Sequence, residues 1–137
     1  MTEQTETLPI LLLKAREKAI GYVRPVLSNL DLTEQQWRVL RALYELETTT
    51  THTLAEKSCI LGPSLSRILT KLETDSIIIR KPSPNDNRVV NIKLSSKGKR
   101  LHQQVLKKLQ RPYSQFNEDY GTAKVEKLNT LLKQFVG

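Results

Sequence analysis

The chain has 137 residues, 26% of them charged and 38% hydrophobic, which suits one folded domain with a modest core and excludes a disordered chain. Lys and Arg outnumber Asp and Glu by 22 to 14, for a net charge of +8, an excess that favours a polyanionic partner such as nucleic acid. One cysteine, Cys59, excludes an internal disulfide; among the apolar neighbours of "KSCIL" it reads as a buried structural thiol.

The opening "MTEQTETLP" is acidic and lacks the basic n-region of a secretory leader. The apolar run "LPILLLKA" is broken by Lys14 and Arg16 and is too short to span a bilayer, so a cytoplasmic protein is expected. From residue 8 to 29, Leu8, Leu11, Leu12, Ala15, Ala19, Tyr22, Val23 and Val26 share one side, predicting a long first helix that Pro25 kinks or ends early. A second helix begins at "TEQQ", where Thr33 and Gln36 have capping-box spacing, and runs to about Leu46. "TTTTH" reads as a polar connector, after which Thr53 and Glu56 repeat the box spacing and open a short helix, "LAEKSCI". Gly62 and Pro63, a break followed by a residue suited to a first helical turn, open the next helix.

In that helix, "GPSLSRILTKLE", Leu65, Ile68, Leu69 and Leu72 form a buried stripe. Pro63, Arg67, Thr70 and Thr74 project away from it, with Ser66 and Lys71 on its flanks and no carboxylate on the outward arc. A small, polar, cationic face suits a duplex groove, and a solvated helix face has the same appearance. A short helix, a tight turn and this helix make a helix-turn-helix. "SIIIRKP" and "RVVNIKL" are β-branched strands around the turn-forming "PSPNDN", a wing. Helical spacing resumes through Leu101, Val105 and Leu109, and a last helix from about Ala123 carries Val125, Leu128, Leu131, Leu132 and Phe135.

The expected fold is therefore mainly α with a small β-wing: a winged helix-turn-helix lobe at about 33–95, with dimerisation helices at about 8–29 and 96–137. The terminal helices have more apolar surface than one small lobe covers, and pairing with a second copy would bury it.

A second face needs explaining. Beside the core side of the second helix (Val39, Ala42, Leu43, Leu46), Glu34, Trp37, Arg41 and Tyr44 gather elsewhere. The first helix likewise carries Leu13, Arg16, Glu17, Ile20 and Arg24 away from its main stripe. Two aromatics and three arginines suit a cavity for a flat anion, with Arg forking to a carboxylate and Trp offering a plane. Equally, the arginines pair with Glu17 or Glu34 and Trp37 fills core. Catalysis is not expected: His52 and His102, the only histidines, fall in a polar connector and on a charged helix. No residues have metal-ligand spacing, and no Gly-rich phosphate loop is present.

With the wing in place, the chain resembles the MarR family of winged-helix regulators over nearly its whole length. The resemblance is carried by "LTEQQWRVLRAL", "LAEKSCILGPSLSRILTKLE" and "NDNRVVNIKLSSKG". In the last of these, Asp86, Arg88, Leu94, Ser95 and Gly98 match the family's Asp-x-Arg wing and the helix start that follows. Where the family usually has Gly after the recognition helix, this chain has Asp75–Ser76. Within the family it is most similar to regulators of homoprotocatechuate and hydroxyphenylacetate catabolism, on "KARE", Arg24–Pro25, "TEQQWR" and "SCIL".

The resemblance implies a homodimeric repressor on a pseudo-palindromic, double-stranded DNA operator. Pro63, Ser64, Ser66, Arg67, Thr70 and Lys71 would meet the major groove, and Arg88, oriented by Asp86, the minor groove. It also implies release by a small, phenylacetate-like aromatic carboxylate at Arg16, Trp37 and Arg41, with Glu34 and Tyr113 as further lining, and no cofactor. Thr7 and Pro9 stand at the family's N-terminal ligand contacts, and a proline donates no backbone hydrogen bond. The competing expectation is a sequence-tolerant architectural DNA-binding protein without an effector, which shares the charge but has no need of Trp37 beside three arginines.

Overall fold

A computed structural model describes residues 3–137, with side chains from Thr7 onward; Met1 and Thr2, which begin the stretch read as no leader, lie outside the described residues. The elements are α1 (Glu3–Gly21), α2 (Arg24–Asn29), α3 (Glu34–Leu46), β1 (Thr48–Thr49), α4 (Thr51–Ser58), α5 (Gly62–Thr74), β2 (Ile78–Pro82), β3 (Val90–Leu94), α6 (Ser96–Tyr120) and α7 (Thr122–Val136). This is the mainly helical fold with a small antiparallel sheet that the sequence predicts. It forms two compact units: a central one, Leu27–Lys107, and a terminal one made of the chain up to Val26 and from Lys108 on. The central unit takes in residues beyond 33–95 at both ends, because Leu27, Leu32 and Val105 are buried.

In the central unit, α3 starts at a complete capping box. Thr33 Oγ1 accepts from Gln36 N, and Gln36 Oε1 accepts from Thr33 N, both at 3.0 Å. Val39, Leu40 and Leu43 of α3 are buried with Leu54 of α4, Leu65, Leu69 and Leu72 of α5, and Ile92 of β3. Each such side chain stabilises the fold by about 1.5–3 kcal/mol. β3 is the middle strand, antiparallel to both neighbours, with Thr48 opposite Lys93 on one side and Ile78 opposite Leu94 on the other.

Three local expectations are corrected, and the early end of the first helix is borne out. The "TTTTH" connector contributes β1, with Thr49 buried; its β-branched threonines suit a strand, but two residues are too few to show alternation. The cap of α4 is Thr50, whose Oγ1 accepts from Thr53 N, so the helix starts before the expected Thr53. The first helix stops at Gly21, and Pro25 lies in the first turn of α2, where its missing N–H leaves no helical bond unmade. Cys59 is exposed, not buried. It ends α4 in the left-handed conformation, at φ 56°, and Ile60 takes the interior position beside it.

The corner between α5 and β2 is joined to the start of α6. Ser76 is left-handed at φ 62°, the position where the family usually has glycine, and a non-glycine residue there costs about 1–3 kcal/mol. The Ser95 hydroxyl donates toward the Ser76 and Ile77 carbonyls (2.6 and 3.0 Å) and accepts from Gly98 N at 3.0 Å. Lys97 Nζ donates to the Asp75 carbonyl at 2.7 Å. A Cβ on Gly98 would lie 2.2 Å from the Ile77 carbonyl oxygen, so the backbone approach there admits only glycine.

In the terminal unit, the Tyr22 hydroxyl donates to the Asp119 carboxylate, and this bond pushes the Tyr22 pKa up to about 12. The Tyr22 ring meets Phe116 edge to face, with centroids 5.2 Å apart. Arg24 forks onto Glu17 at 3.0 and 3.1 Å, holding that carboxyl below its usual range. None of the α7 side chains is fully buried, and Phe135 is 70% exposed. A groove of about 530 Å³ in this unit is lined by Leu12, Ala15, Arg16, Phe116, Leu128 and Leu132 among others.

Two substitutions at the α5–β2–α6 corner have opposite expected effects in urea unfolding. Gly98→Ala lowers stability by about 1–3 kcal/mol through the clash with Ile77. Ser76→Gly raises it by about 1 kcal/mol, since glycine adopts the left-handed conformation without strain.

Candidate nucleic-acid interface and anion site

The burial of Leu65, Leu69 and Leu72 fixes the rotation of α5 about its axis. Pro63, Ser66, Arg67, Thr70 and Lys71 are consequently exposed, with Ser64 half-buried. The first turn holds no acidic residue, and Leu61 at the cap makes no side-chain hydrogen bond. The positive end of the helix is therefore not offset by a carboxylate, which favours phosphate nearby. Thr70 Oγ1 donates to the Ser66 carbonyl at 3.0 Å. Lys71 pairs with Asp75 at 3.2 Å, an exposed pair that contributes little and is readily exchanged. Glu73 is turned away to Arg80, 2.8 Å distant, which holds its carboxyl below the usual range.

The wing tip carries a second cation. The Arg88 side chain is 91% exposed, yet it is held at its base. Asp86 Oδ1 accepts from Arg88 N at 3.0 Å and from Arg88 Nε at 3.2 Å, and Asp86 Oδ2 accepts from a terminal guanidinium nitrogen at 3.4 Å. The backbone bond, and after it the guanidinium, lowers the Asp86 pKa, so the clasp stays ionised to more acidic pH than an ordinary aspartate.

On the other side of α3, Trp37 is 4% exposed and lies against His102 of α6, with ring centroids 5.3 Å apart and planes 26° apart. His102 stacks in turn on Tyr44 at 3.9 Å and 10°, and Gln103 Nε2 donates to the Tyr44 hydroxyl at 3.0 Å. His102 is itself only 3% exposed, and among the described residues its buried Nδ1 has no hydrogen-bond partner. Burial, and then the Arg41 charge, push its pKa below the usual histidine value, with Glu45 opposing. His102 is thus on the charged helix α6 as expected, but on its buried side. The signal was present: His102, Val105 and Leu109 have i, i+3, i+7 spacing.

The ion pairs match in part those the sequence suggested. Arg24 takes Glu17, but Glu34 is 3.0 Å from Arg38 rather than paired with Arg41. Arg41 is exposed and only 3.8 Å from Glu45, which Lys57 holds at 3.0 Å. Glu34, Trp37 and Arg41 all belong to α3 in the central unit; Arg16 and the exposed Tyr113 belong to the terminal unit, where Arg16 edges the groove. Among the described residues, no group of three or more His, Cys, Asp or Glu is placed to hold a metal ion, and no helix is long and apolar enough to cross a membrane.

Residues 32–90 match the MarR family. The chain is 38% identical over 131 residues to the homoprotocatechuate degradative operon repressor of Escherichia coli, spanning 96% of this chain and 88% of that protein. NadR in complex with 4-hydroxyphenylacetate superposes with a TM-score of 0.85 at 34% identity, over 94% of each chain. A mutant MarR of Escherichia coli complexed with operator DNA superposes with a TM-score of 0.86 at 25% identity, over 100% of each. The chain belongs to the MarR family. It is a MarR-type transcriptional regulator, homologous to a repressor of aromatic catabolism, and not an enzyme.

The depressed His102 pKa gives a pH dependence with a definite sign. A histidine that stays neutral in the fold contributes fully above its unfolded pKa, near 6.5, and loses that contribution as pH falls toward the folded value. Urea midpoints are expected to drop between pH 7 and pH 5.5, and His102→Phe is expected to flatten that part of the drop.

Proposed function

We propose that the protein is a homodimeric repressor that binds a pseudo-palindromic double-stranded operator of an aromatic-acid catabolic operon in the cytoplasm. A small, phenylacetate-like carboxylate releases it. The observation that carries the DNA reading is the exposed face of α5, polar and cationic without an acidic residue in its first turn, together with Arg88 clasped at the wing tip. In this reading Pro63, Ser64, Ser66, Arg67, Thr70 and Lys71 meet bases and phosphates in the major groove. Arg88, with Asp86 fixing its orientation, enters the minor groove. The similarity to a MarR protein complexed with operator DNA supports it.

The lobe at about 33–95 does the reading, and helices at about 8–29 and 96–137 pair with a second copy. The exposed Leu128, Leu131 and Phe135 support this pairing. Two recognition helices would then lie about 34 Å apart, one turn of duplex. For the effector, Arg16 and Arg41 supply charge for a carboxylate, Trp37 a ring surface, and Glu34 and Tyr113 further polar lining. NadR in complex with 4-hydroxyphenylacetate and the similarity to a homoprotocatechuate operon repressor support that chemistry. A ligand shifts an equilibrium only through unequal affinity for two states. Weakening operator binding a hundredfold therefore requires the acid to favour the non-binding arrangement by about 2.7 kcal/mol.

The test is a genome-wide selection of bound fragments with and without 4-hydroxyphenylacetate. Recovery of one palindromic site, lost when acid is added, is expected; recovery of all sequences alike would leave an architectural DNA-binding protein. On the selected site, Arg88→Ala should weaken binding to every sequence and lower the salt slope by about one. Arg67→Ala should cost about 1–3 kcal/mol and relax preference at one base position. Wild-type binding by Arg88→Ala would remove the wing from the interface.

Arg41→Ala is expected to bind operator nearly as wild type does while losing much of its acid affinity, giving a repressor that is not induced. Trp37 fluorescence during acid titration measures the affinity, and gel-shift release measures the induction. Release at unchanged acid concentration would exclude Arg41 from the site.

A further inference from the structure

We infer that His102 is a ligand-contacting residue of the effector site, its Nδ1 donating a hydrogen bond to the carboxylate that Arg41 attracts beside the Trp37 ring. The inference rests on the effector reading above and adds to it a residue that no sequence motif singled out. Three observations carry it. Among the described residues His102 Nδ1 is buried without a partner, and buried polar atoms are nearly always satisfied, by protein, by water or by a ligand. The ring lies between Trp37 and Tyr44, at 5.3 and 3.9 Å between centroids. Leaving that plane would break two stacks, so a partner for its nitrogens must approach at the edge of the ring. Arg41, whose charge lowers the His102 pKa, is exposed and lies 3.8 Å from Glu45.

A flat aromatic carboxylate fits what these groups lack. It supplies an acceptor oxygen to the imidazole and a full negative charge to Arg41. Neutral imidazole with its proton on Nδ1 is a competent donor, so no protonation step is required for the contact. The charged and titratable groups acting on the ring are Arg41, Tyr44 and Glu45 from α3, and Glu45 is itself paired with Lys57 of α4 at 3.0 Å. A bound carboxylate offsets the Arg41 charge and favours the protonated ring. Acid affinity therefore increases as pH falls from 8 toward 6.

The experiment uses the full chain and 4-hydroxyphenylacetate as the probe. Its two readouts are Trp37 fluorescence and the imidazole nitrogen resonances of the two histidines, with the exposed His52 as internal control. Saturating acid is expected to move the His102 Nδ1 resonance and leave that of His52 in place. Affinity is expected to rise several-fold between pH 8 and pH 6. His102→Phe, which keeps a flat ring in the stack but removes the donor, should bind the acid at least tenfold more weakly and without the pH dependence. If the wild type binds the acid while the His102 resonance stays still, the inference is overturned and the effector reading stands. An unchanged affinity in His102→Phe overturns it in the same way. If neither fluorescence nor resonance responds to millimolar acid, both fall. Should His102→Phe fail to fold, the wild-type resonances decide alone.

Discussion

The central unit depends on one helix that is wanted on two sides. Val39, Leu40 and Leu43 of α3 are fully buried in the core shared with α4, α5 and β3, while Trp37 is buried against His102. Only a narrow strip of α3, including Arg41, Tyr44 and Glu45, is left to face solvent. Everything around it is positioned by that demand. Because Leu65, Leu69 and Leu72 must reach the α3 core, α5 has one permitted rotation about its axis. At 100° per residue the direction of Arg67 and Thr70 follows from it. The chemistry of the outward face is thus set by packing on the inward one.

Much of this was legible in the sequence, because periodicity and capping are local. Thr33 and Gln36 announce the start of α3, Gly62–Pro63 the start of α5, and the β-branched runs on either side of "PSPNDN" the wing. What escaped is what depends on distant partners. Thr48 and Thr49 become a strand only because Lys93 and Ile92 lie opposite them. Cys59 is turned outward by a left-handed residue at a helix end, which hydropathy does not encode. The site was legible in type more than in pairing. Arginines near carboxylates could be counted along α3, but which arginine takes Glu34 depends on rotamers. That His102 stacks on both aromatics of α3 depends on how α6 lies beside it.

The two lysine- and arginine-bearing elements of the proposed interface hold their cations differently. Lys71 meets a single carboxylate four residues on in the same helix, through a flexible stem, and can leave it at little cost. Arg88 is tied through its own backbone amide and through two guanidinium nitrogens to the same side chain, Asp86. Fewer rotamers remain to be frozen when such a side chain meets a partner. The first arrangement suits a diffuse charge and the second a probe of fixed direction.

The pinning of Ser95, Lys97 and Gly98 to the Asp75–Ile77 corner has a mechanical side. Three side-chain hydrogen bonds to the Asp75, Ser76 and Ile77 carbonyls, and one backbone approach that tolerates no Cβ, join the start of the long α6 to the end of α5. A soft linker at that point would absorb a twist applied along α6 as local bending. Here the first turn of α6 is tied to the tail of α5, so a rotation of that turn would have to carry the Asp75–Ile77 corner with it or break those bonds. Loosening a few atoms there would detune the lever without altering any surface that either helix presents.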